Sequence, residues 1–166
     1  MDPERFYDLI RDEEFDEAHR CLDTELQYAS QEDAIWLHHR RVSVYLGERR
    51  YEEAVDHLKS HRNSCGTVTS VHESLAMIYE ITGQDDLALN ELESAPYDAD
   101  QDIDPLLVAD ARFYRLYFRA CRKLPIAQAE IDAFPPDYET YLPAAGKMRG
   151  VLVKRSDIVD LVKRFV

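Results

Sequence analysis

Apolar side chains recur along most of this chain at three- and four-residue steps, the period of one helix face. Val71, Leu75, Ile78 and Tyr79 fall at i, i+4, i+7 and i+8, and Leu87, Ala88 and Leu92 form a shorter stripe beyond Gly83. Residues 75–96 are therefore predicted as a helix, a tight turn at Gly83 and a second helix folded back on the first. Ala88 is small enough to let the two approach. Phe6, Leu9 and Ile10 make the face of an opening helix, started by Asp2 before Pro3. Phe15, Ala18, Leu22 and Leu26 make the face of the next. Ser30 with Asp33, and Ser70 with Glu73, have the three-residue spacing of a capped helix start. The first of these helices runs to about Leu46, with Gly47 suited to its C-terminal end. Tyr51 to His61 then returns.

After Pro96 the pattern lapses. Four aspartates, Asp98, Asp100, Asp102 and Asp104, fall within eight residues, which predicts a surface loop over 97–104. Pro105 to Lys123 is apolar around most of its circumference, leaving a charged strip of Asp110, Arg112, Arg115 and Arg119, so this helix is expected to be sandwiched between neighbours. A short helix is predicted from Pro125 through Ile131, stopped by Pro135-Pro136. Two more are predicted over about 143–154 and 156–165, the last capped by Ser156 or Asp157.

The hairpin has a period. Tyr45 and Tyr79 are 34 residues apart, as are Ala54 and Ala88, and Leu58 and Leu92. Phe15-Asp16-Glu17-Ala18 precedes Tyr51-Glu52-Glu53-Ala54 by 36. Helix pairs at such a period mark stacked hairpins. On Leu75, Ala76, Tyr79, Gly83, Ala88, Leu92, Ala95 and Pro96, with Tyr45, Tyr51, Ala54 and Leu58, the chain resembles the tetratricopeptide repeat (TPR) family. The second unit departs from the family at His38, Arg41 and Val42, where a large aromatic, a leucine and a small residue are preferred. The resemblance implies an all-α fold: an antiparallel stack of about three TPR-like hairpins over 1–96, the acidic loop, and a degenerate hairpin with capping helices over 105–166, all one continuous domain. A solenoid needs such a cap to cover its last apolar face. The family's first helices line a peptide-holding groove. Its register implies groove positions at Trp36, His39 and Ser43 in the second unit, and at Ser70, Glu73, Met77 and Glu80 in the third.

Charge narrows the partners. The 166 residues carry a net −13, with +4 in 147–166 and −17 before it. An acidic body is repelled by phosphate, so no nucleic acid is expected, and a partner segment bearing Lys or Arg is favoured. No apolar run is long enough for a membrane span, and the start lacks a signal-peptide core. A cytoplasmic protein is expected. Three scattered cysteines, Cys21, Cys65 and Cys121, suggest reduced thiols, mostly buried.

Candidate chemistry is sparse. His57 and His61 share a helix face four residues apart, with Cys65 beyond. No fourth ligand is evident and Lys59 opposes a cation, so two exposed histidines are expected. The alternating aspartates of 97–104 lack the glycine and terminal glutamate of a calcium loop. No motif for a nucleophile, phosphate or dinucleotide is present. Neither enzyme activity nor a cofactor or metal is expected. The reading is a non-catalytic interaction module, an adaptor or small chaperone-like holder of a partner segment. The alternative is a structural subunit of a fixed complex.

Overall fold

A computed structural model of the chain describes residues 2–62, 68–96, 105–142 and 150–165. The described part is mostly helical, with one small two-stranded sheet. The chain divides into two compact units, 1–71 and 72–166, the boundary falling within a helix. No helix among the described residues is long and apolar enough to cross a membrane.

Unit 1 holds α1 (Pro3–Arg11), α2 (Phe15–Leu26), α3 (Gln31–Gly47), α4 (Tyr51–Ser60) and the start of α5 (Val68–Ile81). The Asp2 carboxylate accepts from the Glu4 N–H, and Ser30 Oγ accepts from the Asp33 N–H, so both predicted caps are present. α1 packs on α2, α2 on α3 and α3 on α4. Phe6, Leu9, Ala18, Leu22, Leu37 and Val44 form the core between α1, α2 and α3. Arg41, only 8% exposed, joins α3 to α2: its guanidinium donates to Asp23 and to His19 Nδ1, which leaves His19 Nε2 to donate to Glu48 at 2.9 Å. The buried guanidinium is thus hydrogen-bonded to both a carboxylate and an imidazole.

The same turn ends α1, α3, α5 and a later helix. Glu13, Arg49, Gly83 and Lys123 all have φ between +59° and +73°. At each, the next residue's N–H reaches back five positions: Glu14 to Leu9, Arg50 to Tyr45, Gln84 to Tyr79 and Leu124 to Arg119. This is the Schellman arrangement, which satisfies the last carbonyls of a helix. After the first three turns the next helix begins two residues on. In each of those helices the fourth residue is a fully buried alanine (Ala18, Ala54, Ala88) and the eighth a fully buried leucine (Leu22, Leu58, Leu92). Gly47 is not the left-handed residue of its turn; Arg49 is. The glycine at 47 meets a different need, because a Cβ there would lie 2.7 Å from Cε1 of Phe15.

Unit 2 holds the rest of α5, then α6 (Asp85–Ser94), α7 (Pro105–Cys121), α8 (Gln128–Asp132), β1 (Glu139–Leu142), β2 (Val151–Lys154) and α9 (Arg155–Lys163). α6 folds back on α5, where His72 Nδ1 lies 2.7 Å from Glu91. α7 is central, packed against α6, β1 and α9. It buries Ala111, Phe113, Tyr114, Leu116, Phe118 and Ala120, and its charged strip pairs Arg115 and Arg119 with Glu93 of α6 and Glu130 of α8. Phe113, Phe134 and Tyr138 form a triangle of rings about 5 Å apart.

Several boundaries differ from expectation. The helix predicted over 143–154 is not there at its end: 151–154 is β2, paired antiparallel with β1 through Thr140↔Val153 and Leu142↔Val151. Two β-branched residues in four and a buried Leu142 and Val153 on one face suit a strand. The C-terminal part of unit 2 therefore holds a two-stranded antiparallel pair and α9, not helices alone. Arg155 fixes it, its side chain donating to the Ile131 carbonyl and Asp132 while its N–H bonds the Tyr138 carbonyl. Ser70 lies inside α5, which starts at Val68, so Ser70 with Glu73 is no capping box. α9 starts at Arg155, where Asp157 accepts the Lys154 N–H from within the first turn. Cys121 is exposed and Cys21 half-buried. Cys65 and the 97–104 loop lie outside the described residues.

Candidate functional site

Two features of unit 1 and one of unit 2 carry chemistry. The first is a cleft at the α2–α3 connection. α2 ends at Leu26, and the chain reverses through Tyr28 and Ala29 before Ser30 caps α3. That reversal throws Tyr28 outward, 85% exposed, beside Trp36 on the second turn of α3, 65% exposed. Both rings line one cleft with Glu25, Asp33, Leu37 and Arg40. A tryptophan is usually drawn inward by its large apolar area, so two adjoining exposed aromatics flanked by carboxylates are a surface feature with a cost in water.

Trp36, His39 and Ser43 share one face of α3 by their spacing. His39 is exposed, and Ser43 is half-buried with its hydroxyl turned to the His39 carbonyl. Tyr28 was not among the expected residues. Its signal was available: an aromatic in a polar stretch just before a helix cap has no helix face to join.

On α5, Ser70, Glu73, Met77 and Glu80 are all half-buried. Glu80 is committed within unit 2, accepting from the Tyr114 hydroxyl at 3.0 Å and from Arg122 at 3.2 Å. Arg122 also pairs with Asp85 and lies over the Phe118 ring. Glu73 sits otherwise. Burial, with the Asp110 carboxylate adding, pushes its carboxyl up to about 7. Asp110 in turn accepts from the Tyr138 hydroxyl at 2.7 Å.

The third feature is a cluster of imidazoles between α3 and α4. His57 and His61 are half-buried rather than exposed, and His38 of α3 closes against them. His38 Nδ1 stands 3.2 Å from His57 Nε2, and the His61 ring stacks on both others at 4.3 Å between centroids. One nitrogen of each ring lies within 4.8 Å of the others. His61 Nδ1 is 3.1 Å from the His57 carbonyl oxygen, which can only accept, so Nδ1 carries the proton and Nε2 the lone pair. Burial, then the neighbouring His61 and His38, push His57 down to about 4, and burial also lowers His38. The three imidazoles are held ring to ring, and Tyr45 covers the His57 edge.

Compared with known proteins, the chain matches no family model, no curated protein and no solved structure.

Proposed function

We propose that this chain is a non-catalytic, TPR-like protein-binding module that holds a segment of another protein on the α2–α3 cleft of unit 1. What carries the reading is the pair of exposed aromatics, Tyr28 and Trp36, that line one cleft. Tyr and Trp are the residues on which interfaces concentrate binding energy. The recurrence of one turn, one buried alanine and one buried leucine at spacings of 34 to 36 supports the hairpin-repeat reading. Repeats of this kind present helix side chains to a partner rather than loops that assemble catalytic groups. The segment carries apolar anchors for the two rings and Lys or Arg beside them, because the chain carries −13 overall and the cleft lining holds Glu25 and Asp33 against the one guanidinium of Arg40.

The test compares the native protein with a Tyr28→Ala/Trp36→Ala variant of equal helicity as bait in its native cell extract, followed by titration of the recovered partner. The native protein recovers a partner that the variant does not, and truncating Trp36 weakens the complex by about 2 kcal/mol or more. Recovery of the same partner at the same affinity by the variant would remove the cleft from the account.

A further inference from the structure

We propose that His38, His57 and His61 form a site for one divalent transition-metal ion of the zinc class, bridging α3 and α4. The three nitrogens that would bind are His38 Nδ1, His57 Nε2 and His61 Nε2. A tetrahedral zinc with bonds of about 2.0–2.1 Å holds two imidazole nitrogens roughly 3.3 Å apart. His38 Nδ1 and His57 Nε2 already stand at 3.2 Å. One nitrogen of each ring lies within 4.8 Å of the others, and His61 stacks at 27° on both partners, so binding an ion turns the His61 ring as well as closing the gap by roughly 1.5 Å.

Proton positions favour the same set. His61 donates Nδ1–H to the His57 carbonyl, the outer contact that fixes tautomer and ring direction in metal-binding histidines. Without metal, one of His38 and His57 must donate a proton to the other across their 3.2 Å contact. With metal, each keeps a single proton on the nitrogen opposite the ion, so three neutral imidazoles bind.

The donor set selects the ion. Three imidazoles without carboxylate or carbonyl suit zinc, copper, nickel or cobalt and not magnesium or calcium. Arg41, a fixed cation that acts on His38 and His57, has its guanidinium turned to Asp23 and His19. Three protein ligands leave a fourth position for water, a small anion or a side chain of a partner.

The experiment titrates chelator-treated protein with zinc and cobalt, reading heat, melting temperature and the visible absorption of cobalt. The native protein takes up one ion, melts at a higher temperature and gives the bands of four- or five-coordinate cobalt. His38→Gln and His61→Gln each weaken binding by more than about tenfold, since even loss of an outer-shell partner costs that much. His39→Gln, exposed on α3 and outside the cluster, leaves binding unchanged and controls for the substitution itself. No uptake by the native protein, or uptake that His38→Gln leaves intact, would overturn the proposal, the latter by reducing the site to an ordinary His57–His61 pair. Circular dichroism on each variant shows that a lost signal is not a lost fold.

Discussion

At the scale of residues, conformation and packing part company at the turns. Gly83 takes a left-handed φ for which glycine is the natural residue, but Glu13, Arg49 and Lys123 take the same conformation with side chains. Left-handed backbone costs an L-residue roughly 1–2 kcal/mol. Arg49→Gly should therefore raise stability by about 0.5–1 kcal/mol, net of glycine's larger unfolded-state entropy, and Gly83→Ala should lower it by about 1 kcal/mol; thermal denaturation measures both. Gly47 was read from the sequence as the helix terminator, because glycine near a helix end is usually that. Its work is instead to clear the Phe15 ring. Gly47→Ala should cost about 1–3 kcal/mol despite alanine's better helix propensity. In a Phe15→Ala background the same change should be neutral or stabilising, and persistence of the penalty there would place the conflict elsewhere.

Two titrating groups make opposed contributions to stability. His57 is pushed down from 6.5 to about 4, so between those values the unfolded chain binds a proton that the native state does not. Its contribution is intact above pH 6.5 and is lost as pH falls towards 4. The groups facing it are His38 and Arg41 of α3, His61, and the Tyr45 ring. Glu73 is raised from 4.5 to about 7, so the native state keeps a proton that the unfolded chain releases, and stability is lost as pH rises from 4.5 to 7. Glu73→Gln should therefore raise the melting temperature at pH 8, with the gain shrinking towards pH 4.5. An equal gain at pH 4 and pH 8 would mean that the carboxyl is not buried as described.

At the scale of elements, the hairpins were legible because their signal is long. Two helices of ten or more residues, each with an apolar stripe, and a repeat at 34 leave little freedom, and Ala54 and Ala88 are fully buried as that reading requires. Ala54→Leu and Ala88→Leu should each overpack a helix contact and cost about 1–3 kcal/mol. Melting like the parent would show that the helices have room to separate. The β1–β2 hairpin was not legible. Val151-Leu152-Val153-Lys154 is four residues long, and over four residues a two-residue period and a helical one cannot be told apart. The imidazole cluster was half legible: the i, i+4 pair was seen, His38 was not. Yet the short turn after α3 returns α4 alongside it, and His38 of α3 meets His57 of α4.

At the scale of the whole molecule, the proposed binding would use the acidic surface and the aromatic cleft at different stages. A charge of −13 would draw a basic partner from a distance, so salt should slow association far more than it speeds dissociation. The rings of the cleft would then hold the bound segment. Charge and composition were plain in the sequence, and Trp36 was picked out from the repeat register. Tyr28 and its cleft depend on how the chain turns between α2 and α3, which spacing alone does not specify. Trp36 is the sole tryptophan of the chain, so its emission reports on the cleft and on nothing else in the protein. The most direct measurement is iodide quenching of that emission as a tryptophan-free peptide of the recovered partner is added to saturation. The account predicts a shift to shorter wavelength and a loss of quenching in step with binding, as the ring passes from water into an apolar contact. Binding to saturation with emission and quenching unchanged would contradict it.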